Sequence, residues 1–370
     1  MTKDNIFKFI NKFLCYNEFE PYWALHKKEN GIYKPKWSYD DAVMLKAFLD
    51  LYDYTKEKKY LNFCQSFLEY YLDENQPKYF DFEKYNIDNL CMGYTLLKLY
   101  KYTNNIKYLN NANFLYNRLK NHPKTKSGSY WHKEIYPNQV WLDGLYMGQP
   151  FNAYYNKEII KSSDYNDIII QFKNIRKYMF DEKKELYYHG YDESRKIFWA
   201  NKETGLSKNF WSRSIGWLLM AFIDTIEIIN NQYLIDLFKE AIDGLIKYLS
   251  KDYLIYQVVD KSEIINNYEE TSGSAMFAYS VLKAVRLKIL DESYKNYGIK
   301  CIISLINKKM IYNINNKEFI LHDTCQVAGL GPDNNKRRDG TIEYYLSEPK
   351  SDDDPKGVGP FIMAVTEYYR

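Results

Sequence analysis

Two stretches of the chain carry the same word. "NIDNLCMGYTLL", residues 86–97, and "NQVWLDGLYMGQPF", residues 138–151, both read apolar–Asp–x–Leu–x–Met–Gly. The second sets Asp143 among Trp141, Leu142, Leu145, Tyr146, Met147 and Phe151, with no Lys or Arg beside it. Burial of a carboxyl among apolar groups disfavours its charged form and raises its pKa, which suits it to hold a proton near neutral pH. Asp88, in the matching position of the first stretch, pushes the same way if it lies close, because two acids sharing a site resist double ionisation.

Other reactive side chains fall at comparable places. Trp37 and Tyr39 precede one apolar run, Trp211, Arg213 and Trp217 open another, and Thr271 and Ser272 open a third. His132, Lys133 and His189 sit in the segments between. Indole faces stack on sugar rings through C–H groups, and Arg pairs bidentately with a carboxylate. Each residue alone has a plainer reading. Asp is a favoured helix N-cap, and both Asp88 and Asp143 stand at an expected helix start. A single His or Trp is most often part of a satisfied core. It is their joint convergence that points to a pocket.

The elements that must bring them together are helical. "YDDAVMLKAFLDLYDYT" has the i, i+3, i+4 apolar spacing of an amphipathic helix, and "YLNFCQSFLEYYL" follows as its partner. The couplet recurs along the chain, with first helices expected to begin near Tyr39, Asp88, Asp143, Arg213, Thr271 and Gly357. Six couplets predict an all-α fold, an (α/α)6 barrel of parallel inner helices wrapped by outer ones, in one domain over 1–370. The sixth outer helix must come from the N-terminal segment "MTKDNIFKFINKFLCYNEFE", which reads as an amphipathic helix and not as a signal peptide. Gly93, Gly148, Gly216 and Gly273 stand a few residues into inner helices, each costing about 1 kcal/mol against Ala, which implies close helix approach. A β-hairpin is expected from "ELYYHGYDES" with "RKIFWANKET", and short strands in "YLIYQVVD" and "KEFILHDTC".

Composition removes several classes. Lys+Arg number 51 against Asp+Glu 48, so no basic excess marks a nucleic-acid partner. Apolar runs are too short to cross a bilayer. Five scattered cysteines without a CxxC read as reduced thiols in a cytoplasmic protein, and no Cys/His spacing suggests zinc, so neither metal nor cofactor is expected. The 39 Tyr accompany many Lys, Asn and Ile and are discounted as compositional drift.

"VWLDGLYMGQPF", "WSRSIGWLLMAFID", "ETSGSAMFAYS" and "CQVAGLG…RDGTIEYYLSEP…DDPKGVGPF" resemble glycoside hydrolase family 105, the unsaturated rhamnogalacturonyl hydrolases, relatives of the family 88 unsaturated glucuronyl hydrolases. The likeness runs from about Trp37 to near the C-terminus. It implies the same (α/α)6 barrel and an oligosaccharide substrate that ends in a 4,5-unsaturated uronate left by a lyase. It also implies hydration of that enol ether, with Asp143 as proton donor and then base, and Asp88 beside it. By motif position Arg213 and His189 are expected to bind substrate, with His132, Lys133, Trp141 and Met147. Trp211, Trp217 and Tyr39 are expected as stacking walls, and Glu343 and Tyr344 as lining of the mouth. Competing readings are an ordinary inverting glycosidase using Asp88 and Asp143, a non-catalytic carbohydrate-binding protein, and, weakly, an epimerase pairing His189 with His322.

Overall fold

The computed structural model describes residues 1–17, 20–23, 28–29 and 32–370. Its helices run in order α1 (Lys3–Lys12), α2 (Tyr39–Thr55), α3 (Lys58–Tyr71), α4 (Met92–Thr103), α5 (Ile106–Lys120), α6 (Asp143–Tyr155) and α7 (Asn166–Met179). They continue with α8 (Ser212–Ile229), α9 (Gln232–Ile246), α10 (Thr271–Arg286), α11 (Lys295–Ser304), α12 (Ile342–Ser347) and α13 (Pro355–Tyr369). A 3-10 turn, Ile87–Leu90, leads into α4.

Six of these form a closed inner ring. α2 packs on α4, α4 on α6, α6 on α8, α8 on α10, α10 on α13, and α13 back on α2. Their sequences explain the placement: α8 and α10 are buried on nearly every face, which a helix tolerates only when surrounded by protein. The outer helices α3, α5, α7, α9 and α11 each cover the inner helix before them. α1 closes the outer layer as expected. Its Phe9 and Phe7 meet Phe361 and Tyr369 of α13 at 5.8 and 6.1 Å, and Asn11 accepts from Tyr60 of α3 at 3.1 Å. This is the (α/α)6 barrel.

The inner helices run parallel, with like ends together. At the N-terminal ends, a Cβ on Gly273 of α10 would stand 2.9 Å from the Ser212 backbone of α8, and one on Gly359 of α13 would stand 2.6 Å from Val43 of α2. At the other ends, Arg286 of α10 pairs with Glu367 of α13 at 2.6 Å. Gly216 and Gly273 allow the backbone approach expected of them, whereas Gly93 faces only the Phe151 side chain and Gly148 only those of Ile87 and Leu119.

Two local expectations are corrected. The N-terminal amphipathic helix ends at Lys12, and residues 16–17 then pair with 20–21; residues 18 and 19 of that stretch lie outside the described residues. The hairpin expected from residues 185–204 does not form. Instead Gly190–Asp192 pairs antiparallel with Gln139–Trp141. The Asp192 carboxylate accepts from Ser194 and from the backbone N–H groups of Lys196 and Ile197, folding the following residues into turns. Short strands form where expected, Ile255–Tyr256 with Glu269–Glu270 and Glu318–Leu321 with Met310–Asn313.

Candidate active site

The strand pair 139–141 with 190–192 decides the site, because it joins the approach to α6 with the approach to α8. Leu142 N–H donates to the His189 carbonyl at 3.2 Å, which brings His189 over the first turn of α6. Neither acid caps its helix. Leu142 occupies the cap position of α6, with no side-chain cap, and Asn86 caps the 3-10 turn by accepting from Asp88 N–H. Both carboxylates are therefore free to face the mouth.

Asp143 Oδ2 lies 3.5 Å from Nε2 of His189, the outer limit of hydrogen bonding. The imidazole is wholly buried, and the Asp143 side chain is 14% exposed. On the far side of that ring, Nδ1 lies 2.7 Å from the Tyr345 hydroxyl. His132 stands between the two acids. Its Nε2 is 3.7 Å from Asp88, and its Nδ1 would be 3.4 Å from a Cβ on Gly144, the residue after Asp143. Three buried polar atoms in this one cluster, Asp143 Oδ2, His189 Nε2 and His132 Nδ1, have no well-formed hydrogen bond among the described residues beyond the long contact between the first two. Native interiors rarely leave such atoms, and a catalytic role is one of the explanations for them.

Electrostatics revise one expectation. Burial does push the Asp143 carboxyl upward, but hydrogen bonding and charge from His189, with help from His132, pull harder, and the net direction is below the ordinary value. Proximity of Asp88 is not the governing influence either. Asp88 pairs with Lys133 Nζ at 2.9 Å. Burial pushes His132 down to about 4, against the pull of Asp88.

Arg213, on the first turn of α8, is 2% exposed. Its guanidinium packs 4.7 Å from the Trp211 ring centre, and Nη1 donates to the Cys325 carbonyl. No carboxylate stands within ion-pair distance of it among the described residues. Burial works against its charge, but the Cys325 thiol and then the Glu270 carboxylate pull the other way, and the net direction is above the ordinary value. That carboxylate is occupied as the α10 cap, accepting from Ser272 Oγ and from the N–H groups of Gly273 and Cys325. Trp211 links this cation to the acid: its ring lies 4.7 Å from that of His189.

A cleft of about 590 Å³ opens beside the cluster, lined by Tyr33, Trp37, Tyr39, Asp88, Asn89 and Lys133 among others. Tyr39, Asp88 and Lys133 thus face open space. The indoles do not. Trp141 stacks on His132 at 4.1 Å, Trp217 stacks on Tyr146 at 4.8 Å with the Tyr39 edge at 6.3 Å, and Trp211 is covered by Tyr345, His189 and Arg213. All three are buried and form the frame of the site instead of open stacking walls. Met147, one turn below Asp143, is likewise buried in core packing. Glu343 is exposed and Tyr344 buried against Gly329; the next residue, Tyr345, is the one that reaches the cluster. His322 pairs with Asp352 at 2.8 Å and does not partner His189.

The sequence pattern of Glycosyl Hydrolase Family 88 matches residues 17–370. The chain belongs to the family 88 and family 105 glycoside hydrolases. A family 105 glycoside hydrolase from C. acetobutylicum ATCC 824 is 39% identical, with a TM-score of 0.87, covering 94% of this chain and 97% of that one. Protein Atu3128 of Agrobacterium fabrum (strain C58) is 37% identical over 232 residues, 60% of this chain and 97% of that protein. The unsaturated rhamnogalacturonyl hydrolase YesR of Bacillus subtilis (strain 168) is 22% identical over 283 residues, 73% of this chain and 76% of that protein. Among the described residues no helix is long and apolar enough to cross a membrane.

Proposed function

We propose that this glycoside hydrolase removes a 4,5-unsaturated uronic acid from the non-reducing end of an oligosaccharide, by adding water across its C4=C5 bond. The observation that carries the reading is Arg213, a buried cation with no carboxylate within ion-pair distance among the described residues, linked through Trp211 and His189 to Asp143. Holding an unpaired charge away from water is costly, and an incoming uronate carboxylate relieves that cost.

The steps follow from the cluster. The uronate carboxylate pairs with Arg213. Its negative charge, arriving near Asp143, raises the affinity of that carboxyl for a proton. Asp143 gives the proton to C4, and positive charge develops at C5 and the ring oxygen. Water attacks C5 and returns a proton to Asp143, so the acid is restored in each cycle. The hemiketal at C5 opens, the linkage at C1 becomes a hemiacetal and breaks, and the sugar leaves as a keto acid. Asp88, held by Lys133, and Tyr39 line the cleft where the next sugar sits. The substrate we favour is the galacturonyl end of lyase-cut rhamnogalacturonan, supported by the name of the B. subtilis relative.

The test is loss of ultraviolet absorbance of the C4=C5 bond with lyase-made unsaturated disaccharides. Asp143→Asn should lower the rate by about 10²–10⁴, the usual contribution of a positioned acid–base group. Turnover of saturated glycosides instead would point to an ordinary inverting glycosidase, and binding without any turnover to a carbohydrate-binding protein.

A further inference from the structure

Tyr345 lies on α12, in a segment far from the motifs that hold the acids, yet its hydroxyl is 2.7 Å from His189 Nδ1. Both side chains are wholly buried. A buried phenol must place its proton, and His189 Nδ1 is the partner its hydroxyl has among the described residues. Donation from the phenol leaves Nδ1 as the acceptor, so the proton of the neutral ring resides on Nε2. That nitrogen faces Asp143 Oδ2 at 3.5 Å. With the opposite tautomer, two lone pairs would face each other across the gap and the phenolic proton would have no acceptor.

We infer that Tyr345 is a positioning residue: by donating to Nδ1 it fixes His189 as the Nε2–H tautomer, which supports Asp143 through the proton transfer. The inference rests on the function proposed above. Asp143 hands its proton from Oδ1 to C4 while Oδ2 accepts from Nε2–H, a contact that strengthens as negative charge grows on the carboxylate. Neither His189 nor Tyr345 changes its proton count, and the proton returned by the attacking water restores Asp143. The other groups facing this line are His132, from the segment before α6, and the rings of Trp141 and Trp211; burial, and then Tyr344, Asp143, Asp339 and Cys325, push the Tyr345 hydroxyl above its ordinary value.

Tyr345→Phe removes one oxygen and keeps the ring. Outer partners that orient an imidazole are worth about 10- to 100-fold in metal sites, and a kcat loss in that range with KM within about twofold is expected here. The alkaline limb of the pH–rate profile should move up by about one unit, because the carboxyl loses its fixed donor. An unchanged kcat and an unmoved limb would overturn the inference. Nitrogen-15 spectra of the five histidines in the wild-type protein, with His189 identified by His189→Gln, read the tautomer without turnover. A wild-type His189 protonated at Nδ1 sinks the inference even in an active enzyme. An Nε2–H ring in a protein that turns over no unsaturated uronide sinks the proposed function and leaves the tautomer assignment standing.

Discussion

Replacing Arg213 by Met separates a receptor from a strut. Suppose the guanidinium awaits a uronate. Two charge-assisted hydrogen bonds are then lost, about 3 kcal/mol together at the low end of their range, and kcat/KM falls by about two orders of magnitude. Stability moves the other way. The wild type holds a cation that is 2% exposed, with no acid within ion-pair distance among the described residues, and its guanidinium donates to the Cys325 carbonyl. Removing the charge relieves a desolvation cost of several kcal/mol and gives up that one bond, worth about 1.5–3 kcal/mol. The melting temperature of Arg213→Met should therefore equal or exceed that of the wild type. Galacturonate at a hundred times its Kd should stabilise the wild type by about 2.7 kcal/mol and leave the variant unmoved. Scanning calorimetry with and without galacturonate, beside the absorbance assay, reads all three. A variant that keeps its kcat/KM but melts several degrees lower would show that Arg213 braces the Cys325 segment, and the reasoning would fail.

Two buried histidines set an acid limit to the fold. Burial pushes His122 and His132 each down to about 4 from an ordinary 6.5. The unfolded chain binds more protons between those values, so the stability they contribute is full above pH 6.5 and is lost as pH falls toward 4, by about 3 kcal/mol for each ring. Denaturation midpoints across that window should drop, and His122→Asn should flatten the drop by roughly half. At the barrel axis, Gly273→Ala would set a Cβ 2.9 Å from the Ser212 backbone and should cost about 1–3 kcal/mol. Gly148→Ala meets only side chains, Ile87 at 3.2 Å and Leu119 at 3.8 Å, and gains about 1 kcal/mol of helix propensity, so chemical denaturation should find it close to neutral. Equal losses at both glycines would count against backbone contact as the reason for Gly273.

What the sequence discloses and what it withholds divides along the range of the forces. The ring was readable because each inner helix carries its own apolar period, and the six expected starts stand within a few residues of the observed ones, Pro355 for Gly357 being among the largest offsets apart from the 3-10 entry to α4. Asp143 was readable as a buried acid because its neighbours in sequence are its neighbours on the helix. Its net electrostatic setting was not, because the decisive group, His189, arrives from 46 positions away through the pairing of 139–141 with 190–192. The expected hairpin hid that pairing: alternation around residues 185–204 fits a strand, but nothing local says that its partner precedes α6. Tyr345 was missed by one residue. On a helix one position is a turn of about 100°, and composition alone cannot say whether Tyr344 or Tyr345 faces the cluster. The indoles mislead for a related reason. Trp suits both a sugar platform and a buried wall, and here Trp141, Trp211 and Trp217 are buried against His132, Tyr345 and Tyr146. Their task is to hold the imidazoles and the guanidinium in place. A buried guanidinium without a carboxylate partner among the described residues persists only where such a frame denies it the freedom to collapse onto one.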